Sequence, residues 1–487
     1  MLQNNAPKKT LRIAFGSPWR TIHPGLQHTL VGDLVLSNQF EALVGTNEFG
    51  ISIPLAAKSW NISEDYKTFT FHIDTSQRFS NGEHLSAKDF KRSWEEALAL
   101  EPRSNNSSLL DVMYKIRGFK DFEHTKSLSG IVAPDDATLS IEFETPFRMA
   151  LDHFQGNRFA AFKNEGRAFL GTGKYVIAEE ENQNLRLRPN PYGESGLAPI
   201  ELSVVPSDQA VGKLLDGSLD VFAYGRGSAV PRDLKTKSNL SILAGQDALH
   251  EAIILNLLPG RFFENAQFRL AMQYLMHKEL EANPNDLGNP DYSSVDAQVF
   301  LPFQTGRIKG EETESIINSG YAYVPALVAA TQKHPILVFL SEGDGWLIPF
   351  LKRNGISVAP ASRVITPKER IDVFYKTFEP DIIMSPFGVA NGDPDGIYHC
   401  LGKAGAIMTP MSYSERVAGL LEEGRKIIDP KKLDSFYQNV TRAVLLDVPF
   451  VHLGYSKAVA IYRNDLVALD SKELRRNEGH LNGFTSR

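Results

Sequence analysis

Residues 385–396, SPFGVANGDPDG, place turn-forming and acidic residues directly after a short apolar segment. Asn391, Asp393 and Asp395 occupy alternate positions and a glycine follows, as in the first half of a calcium-binding EF-hand loop. The twelfth position of such a loop needs a bidentate glutamate, but here it is Gly402. We therefore expect no calcium site, and we expect these carboxylates to accept hydrogen bonds from backbone N–H groups of the loop.

The sequence carries none of the short catalytic motifs in which a reactive residue stands beside the residues that position it. It has no P-loop, no G-x-S-x-G nucleophile turn and no H-E-x-x-H zinc motif. Residues 171–176, GTGKYV, begin like a dinucleotide-binding loop but lack the third glycine, and we expect a tight turn that enters a strand. His399 and Cys400 are adjacent, whereas a nucleophile and its base must face each other. None of these observations argues for an enzyme.

The composition is that of a globular protein. The chain has 487 residues, of which 42 % are hydrophobic and 23 % charged, and its net charge is −6. At about 150 residues per domain, this length predicts two to four domains. Because lysine and arginine form no run, we expect no nucleic-acid partner. The longest apolar segments, such as PILVFL at 335–340, are far shorter than the roughly 20 residues that span a bilayer.

Two features bear on the cellular compartment. The single cysteine, Cys400, cannot form an internal disulfide, so oxidising and reducing compartments are both allowed. Residues 1–10, MLQNNAPKKT, lack the apolar segment of a signal peptide. Two alternatives follow: a cytoplasmic protein, or an exported protein whose leader has been removed.

Residue periodicity predicts a strand followed by a helix in the first quarter of the chain. In TFTFHID, residues 68–74, apolar residues alternate with polar ones as in a half-buried strand. The helix is expected to begin near Ser86 and Asp89, which form a capping pattern, and to place Phe90 and Trp94 on its apolar face.

Two later segments have the strand–helix–strand order of parallel α/β sheets. The predicted strands are 201–206, 219–224, 335–340, 356–360 and 381–385, and the predicted helices are 208–217, 344–353 and 367–375. Because the two segments lie more than 100 residues apart, we expect two separate α/β lobes.

Ligands of parallel α/β sheets bind beyond the carboxyl ends of the strands. Loop 385–396 follows the last of these predicted strands, and loop 16–24 follows a predicted first strand at 11–15. Trp19 and Trp346 lie beyond strand ends, where an aromatic side chain either stacks on a ligand or packs into the core or rim. Both roles stay open.

Several stretches occur in an order that is specific to one family. Residues 51–98 contain PLAAKSW, TFTFHI, FSNG and LSAKDF in succession. GTGKYV with LRLRPNPY, the segment ILNLLPGRFFENAQFRLAMQYLMHKE and the opening loop follow further along the chain. This order resembles the periplasmic solute-binding proteins of ABC transporters that carry dipeptides and oligopeptides, the extracellular solute-binding family 5.

The resemblance implies an α/β, two-lobed periplasmic-binding-protein-like fold with an extra domain, whose hinged lobes close around a ligand in an interlobe cleft. The implied domains are discontinuous. Lobe I would comprise residues 1–39, 165–248 and 456–487, the extra domain residues 40–164, and lobe II residues 249–455.

The resemblance also implies how a ligand is held, and here the chain departs from the family pattern. In the family's peptide binders the ligand lies extended, and an aspartate three positions after an aromatic residue captures its α-amino group. The matching positions are Phe387 and Ala390. A methyl group cannot pair with a buried ammonium, and Pro386 has no N–H to offer a ligand backbone. We therefore do not expect an ordinary free-amine peptide.

Three explanations of Ala390 stay open. The ligand lacks a free amine, as does a blocked or cyclic peptide, a cell-wall fragment, a sugar or another solute. Alternatively, Asp393 or another acid binds the amine from a shifted position. Finally, the cleft serves as a sensor or interaction surface on the same fold.

The expected ligand-binding residues come from the loops described above and are Trp19, Arg20, His23, Trp346, Phe387, Gly388, Val389, Ala390 and Asn391. The resemblance implies a peptide-like or other solute as ligand, the membrane permease of an ABC transporter as partner, and a monomer. No cofactor and no metal are expected. The implied location is periplasmic or otherwise extracytoplasmic, with the leader removed.

Overall fold

The structure is a computed structural model that describes residues 9–19, 21–26, 30–46, 52–100, 109–166, 168–194, 197–226, 230–237, 239–287, 291, 293–341, 344–388, 393–403, 411–465, 467–469 and 484–486. The chain divides into two compact units. Unit 1 comprises residues 1–225, 232–246 and 459–487, and unit 2 comprises residues 226–231 and 247–458. The division into three domains that the family resemblance implies stays a prediction.

Helices and strands alternate along much of the chain. The α-helices in the described ranges are α1 (Leu30–Leu36), α2 (Ala87–Leu100), α3 (Leu110–Met113), α4 (Phe122–Thr125), α5 (Ala150–His153), α6 (Ser207–Asp216), α7 (Ala266–Ala282), α8 (Gly310–Asn318), α9 (Val324–Lys333), α10 (Leu347–Arg353), α11 (Pro367–Asp372), α12 (Tyr398–Leu401), α13 (Glu415–Gly424) and α14 (Pro430–Asp447).

The strands in the same ranges are β1 (Leu11–Phe15), β2 (Val44–Thr46), β3 (Ser52–Pro54), β4 (Ala57–Ile62), β5 (Thr68–Ile73), β6 (Ile131–Val132), β7 (Thr138–Glu142), β8 (Lys163–Asn164), β9 (Phe169–Leu170), β10 (Tyr175–Glu181), β11 (Asn184–Pro189), β12 (Ile200–Val204), β13 (Val221–Arg226), β14 (Leu240–Leu255), β15 (Ser293–Val295), β16 (Val338–Leu340), β17 (Arg363–Val364), β18 (Ile382–Met384), β19 (Phe387–Gly388), β20 (Phe450–Arg463), β21 (Val467–Leu469) and β22 (Phe484–Ser486).

Unit 1 contains the first predicted strand–helix–strand segment. β12, α6 and β13 follow one another in the chain, and β1 lies between the two strands and pairs with both in parallel. Ile13, Phe15, Leu202 and Val221 are buried in the core of this sheet. The predictions for residues 11–15 and 201–224 are therefore confirmed, apart from small shifts at the ends of the elements.

A second sheet of unit 1, in the order β4–β5–β7–β6, packs against α2. Phe69, Phe71 and Ile73 of β5 are buried while the intervening residues are not, so the predicted alternation is confirmed. Trp94 of α2 is buried, and its Nε1–H donates to the carbonyl oxygen of Phe159 at 2.9 Å. This bond satisfies the one polar group of a large apolar side chain.

Unit 2 contains the second predicted segment, with one correction. β16 pairs in parallel with β18 and β17, and β14 pairs antiparallel with β18. The strand predicted at 356–360 is wrong, because only an isolated bridge joins Ile336 to Val358 there. The ladder stops where the N–H of Val338 donates to the hydroxyl of Ser362, and Pro360 has no N–H to continue it.

The helices of unit 2 begin close to their predicted positions. α10 starts at Leu347, which places Pro349 in its first turn, where a missing N–H costs no hydrogen bond. α11 starts with a capping box, since Thr366 and Glu369 each bond the other's backbone N–H. None of the helices in the described ranges combines the length and hydropathy that a membrane span requires.

The GTGKYV segment forms a tight turn that leads into β10, as predicted. The N–H of Gly173 donates to the carbonyl oxygen of Gln39 at 2.9 Å, and the N–H of Tyr175 donates to that of Asn38 at 2.8 Å. A Cβ atom on Gly171 would lie 2.0 Å from the carbonyl oxygen of Gln39. The glycines therefore allow two backbone segments to approach each other.

Replacing Gly171 by alanine should destabilise the protein. The new methyl group would collide with backbone, which cannot move aside as a flexible side chain can, and overpacking of this kind costs about 1–3 kcal/mol. Gly212→Ala is the matched control, because this exposed position of α6 has no atom within 4 Å of the added Cβ. Urea unfolding should show the loss for Gly171→Ala alone; equal stabilities of the two variants would contradict the steric argument.

Candidate functional site

The predicted site residues of unit 1 lie in apolar surroundings. Trp19 is buried in the core that includes β1. His23 is buried between Phe162 and Phe169, with ring centroids at 5.0 and 4.7 Å. Burial lowers the pKa of His23 below its ordinary value. Arg20 lies outside the described residues, and roles of these side chains in ligand binding stay predictions.

The predicted site residues of unit 2 are distributed between two segments. Trp346 is half-buried at the start of α10 and packs beside Phe350. Phe387 and Gly388 form the short strand β19, which pairs antiparallel with β14. Val389, Ala390 and Asn391 lie outside the described residues, so their roles as ligand contacts also stay predictions.

β19 holds the start of the candidate ligand loop against a cluster of buried rings. Phe387 lies opposite His250 in the ladder, and the two rings stack with centroids 4.7 Å apart and planes inclined by 5°. Nδ1 of His250 is 3.2 Å from Nε2 of His452. Tyr455 packs edge-on against both imidazoles. Sequence reasoning missed this cluster.

Hydrogen bonding determines which nitrogen of each imidazole carries the proton. Nδ1 of His452 lies 2.9 Å from the carbonyl oxygen of Asp296, which can only accept, so this nitrogen carries the proton. Nε2 of neutral His452 is then an acceptor and takes the Nδ1–H of His250. Burial lowers the pKa of His250 to about 3 and the pKa of His452 well below its ordinary value. The two imidazoles at this end of the loop are thus uncharged near neutral pH.

The other end of the loop is held by its acidic residues. The carboxylate of Asp393 accepts the N–H of Asp395 at 2.9 Å and caps the short 3-10 helix Pro394–Ile397. The carboxylate of Asp395 accepts the Nε–H of Arg425, with both oxygens at 3.0 Å. The expectation that these acids support the loop backbone is confirmed for Asp393, whereas the buried ion pair of Asp395 was not foreseen.

Arg425 also connects the loop to its neighbouring helices. Its guanidinium carbon lies 3.2 Å above the ring centroid of Tyr398, in α12. The hydroxyl of Tyr398 donates to the carboxylate of Glu422, in α13. Cys400 is buried in the same core. The segment after the loop is therefore packed and hydrogen-bonded before any ligand arrives.

No group of three or more His, Cys, Asp or Glu side chains that could hold a metal ion occurs within the described ranges. The acids nearest the loop are engaged with a backbone N–H and with Arg425. What the described site offers is a loop fixed at both ends, with an uncharged aromatic and imidazole cluster at its start.

Solved structures of similar proteins cover nearly the whole chain. The murein tripeptide binding protein MppA of Escherichia coli matches with a TM-score of 0.81 and 17 % identity, over 99 % of this chain and 99 % of that one. AgaA from A. tumefaciens R10, solved with agropinic acid, matches with a TM-score of 0.78 and 16 % identity, over 98 % of each chain. The fold is that of the periplasmic binding proteins, as the sequence predicted.

Sequence comparison identifies the family within this fold class. The profile described as bacterial extracellular solute-binding proteins, family 5, middle part, matches residues 52–300, about half of the chain. The chain belongs to this family. The oligopeptide-binding protein OppA of Bacillus subtilis (strain 168) is 33 % identical over 142 residues, which cover 28 % of this chain and 26 % of that relative. The matched segments thus span about a quarter of the first curated relatives.

Acid should destabilise the protein through its buried histidines. The pKa of His250 is about 3 in the folded protein and near 6.5 in an unfolded chain. The unfolded chain therefore binds more protons below pH 6.5, and the stabilisation present above that pH is lost as the pH falls toward 3. We expect this residue alone to lower the free energy of unfolding by about 1.4 kcal/mol per pH unit between about pH 6 and pH 4.

Urea unfolding between pH 7 and pH 4 measures this dependence. His250→Phe should show a shallower loss of stability with acid than the original protein, because one fewer proton is taken up on unfolding. His334→Gln, at an exposed position in unit 2, is the control. An unchanged slope in His250→Phe would contradict the buried, neutral state of this imidazole.

Breaking the Asp395–Arg425 pair should destabilise the protein strongly. Arg425→Met removes the ion-pair partner of a buried carboxylate, which costs about 3–5 kcal/mol. Adding Asp395→Leu removes that charge, so the double variant should be more stable than Arg425→Met alone. Lys88→Met, which breaks an exposed ion pair with Asp136, should leave stability nearly unchanged. Additive losses in a double-mutant cycle would show that the two charges do not depend on each other.

Proposed function

We propose that this chain is the solute-binding component of an ABC uptake system and that it binds a peptide-like solute without a free α-amino group. The observation that carries the proposal is Ala390. It stands three positions after Phe387, where the peptide binders that the chain resembles carry an aspartate. An ammonium group brought to this position would meet a methyl group.

The energetic argument concerns the ammonium group of a free peptide. A charge that is taken out of water without a partner costs several kcal/mol, and a loss of about 4 kcal/mol is a factor of about a thousand in affinity. A blocked amine carries no charge and avoids this cost. Pro386 adds a second difference, since it offers no backbone N–H to a ligand strand.

The surroundings of the loop support a neutral ligand end. The carboxylate of Asp393 accepts the N–H of Asp395 and caps a short helix, so moving it to a ligand amine would uncap the loop. Asp395 is paired with Arg425. At the start of the loop, His250 and His452 are buried and uncharged near neutral pH. These contacts disfavour the explanation in which Asp393 replaces the missing aspartate.

The remaining parts of the proposal follow from the family. The protein acts outside the cytoplasm and delivers its ligand to a membrane permease as a monomer, and it binds its ligand without transforming it. A second candidate is a non-peptide solute, favoured by the likeness to AgaA, which was solved with agropinic acid. A sensor or interaction protein on the same fold is a further alternative to transport.

Thermal unfolding in the presence of peptides tests the proposal. Ligand at a hundredfold excess over its Kd should raise the free energy of unfolding by about 2.7 kcal/mol. N-acetylated and cyclic di- to pentapeptides should raise the melting temperature, whereas free-amine peptides of the same sequence should not. Strong stabilisation by free-amine peptides would overturn the argument from Ala390, and stabilisation by sugars or opines alone would favour the second candidate.

Replacing Ala390 by aspartate, the residue that the family's peptide binders carry at this position, should change which peptides the protein binds. Ala390→Asp should gain affinity for free-amine peptides, because the carboxylate can pair with the ammonium group. Ala390→Asn, of nearly the same shape but uncharged, is the matched control. Isothermal titration calorimetry measures both variants, and no gain in Ala390→Asp would show that ligands do not lie in the usual pose.

A further inference from the structure

A groove on unit 1 lies between helix α2 and the segment that contains strand β6. Its volume is about 690 Å³, within the range of about 300–1,000 Å³ that ligand pockets occupy. One wall is the face of α2 from Lys88 to Ala99, and the other wall comes from residues 126–133. Every residue that lines the groove lies within the described ranges.

Two contacts join the walls of this groove. The ammonium group of Lys91, in α2, donates to the carbonyl oxygen of Ile131 at 2.7 Å. The carboxylate of Glu95, one turn further along α2, accepts the N–H of Leu128 at 2.8 Å. The spacing of the walls is therefore fixed before any ligand arrives, and binding would order little of the protein.

Basic side chains outnumber acidic ones along the groove. The basic lining residues are Lys88, Lys91, Arg92 and Lys126, and the acidic ones are Glu95 and Glu96. Both acids are engaged in hydrogen bonds, Glu95 with Leu128 and Glu96 with the side-chain amide of Asn164 at 2.9 Å. This excess of basic residues occurs on a chain whose net charge is −6.

Lys126 carries the positive charge that its surroundings leave uncompensated. The ion pairs of the other basic residues are Lys88–Asp136, Lys91–Glu95 and Arg92–Asp89. Lys126 is exposed and forms no ion pair with any residue that the structure describes. Both side chains of the Lys88 pair are more than 60 % exposed, so an incoming carboxylate would displace Asp136 at little cost.

The backbone holds Lys126 in an unusual conformation. Its φ is +54°, in the left-handed region that side chains disfavour. Its N–H donates to the carbonyl oxygen of Phe122 at 2.8 Å, and the N–H of Ser127 donates to the hydroxyl of Thr125 at 3.2 Å. A glycine would adopt this conformation without strain, so the chain carries a lysine here at a cost in stability.

Apolar surface lies beside these charges. Val132 belongs to β6, an end strand of the sheet β4–β5–β7–β6, and its side chain is 46 % exposed. Ala133 and Ala99 line the groove as well. A ligand that fits must therefore combine negative charge with an apolar group.

We propose that this groove binds an acidic, extended segment of a partner protein. Its carboxylates would pair with Lys126 and Lys88, and an apolar side chain between them would cover Val132. Between Lys88 and Ala99 α2 rises about 16 Å, which matches about five residues of an extended chain. A chain segment enters a groove, whereas a bilayer would meet only its rim. The inference goes beyond the proposed function and does not depend on it.

Fluorescence anisotropy of two peptides tests the inference on the full chain. The peptides are DLEELD and its neutral counterpart NLQQLN, each with an acetylated N-terminus and a C-terminal dye. DLEELD should bind more tightly, and its advantage should shrink between about 20 mM and about 200 mM salt, because salt screens exposed charges. Lys126→Glu should weaken DLEELD about tenfold, since it replaces attraction by repulsion. Val132→Ser should weaken both peptides about threefold, because it removes the apolar contact.

Lys58→Glu is the matched control. Lys58 is an exposed lysine of β4, at the other end of the same sheet, and its replacement changes the net charge by the same amount. It should leave the affinity for DLEELD unchanged. Because Lys126 and Val132 are exposed, their replacement should not impair folding, which the melting temperatures of the variants check.

The remaining outcomes contradict the inference. Equal affinities for DLEELD and NLQQLN would show that the groove does not select negative charge. An unchanged affinity in Lys126→Glu would place the peptide elsewhere on the protein, and an equal loss in Lys58→Glu would show attraction by overall charge alone. Sedimentation with phosphatidylglycerol vesicles tests a membrane as partner. Vesicle binding that Lys126→Glu abolishes, without preference for DLEELD, would assign the groove to a membrane surface. None of these results would affect the proposed solute binding.

Discussion

The carboxylate of Asp395 and the guanidinium group of Arg425 lie in contact, and their side chains are 1 % and 0 % exposed. Separating the two buried charges would be costly, so the end of the candidate loop is tied to the segment that follows α13. Tyr398 and Glu422 extend the same attachment through a ring and a hydroxyl group. The described end of the loop is therefore held by an internal ion pair.

This arrangement is compatible with the prediction that Ala390 stands where the peptide binders of the family carry an acid. If the acid only contacted the ligand, its loss would change what is bound without loosening the loop. The start of the loop is likewise held without a charged group, by the stacking of His250 on Phe387 and the hydrogen bond from His250 to His452.

Local patterns were the part of the structure that the sequence predicted well. The alternation in β5, the apolar face of α2, the strand–helix–strand order of β12, α6 and β13 and the turn before β10 all show in residues close together in the chain. The strand at 356–360 was predicted wrongly, because its ladder ends at a hydrogen bond from Val338 to the distant Ser362. The alternation of residue types does not show that the side chain of Ser362 accepts the N–H of the neighbouring strand.

The site was predicted less completely for the same reason. The capping role of Asp393 could be predicted from neighbouring residues, but the pairing of His250 with His452 joins positions 202 residues apart. Likewise, the close approach of Gly306 to Tyr437 of α14 joins residues that are far apart in the chain. Such contacts arise from tertiary packing, which no spacing along the chain encodes.

The burial of Cys400 has a practical consequence. It is the only thiol of the chain and belongs to the core beneath α12, where reagents in solution do not reach it. Maleimide dyes or nitroxide spin labels attached to engineered surface cysteines would therefore react at the chosen positions with little background. With one label in each unit, spectroscopy would measure the distance between the two labels with and without ligand. Cys400 would stay unlabelled in these experiments.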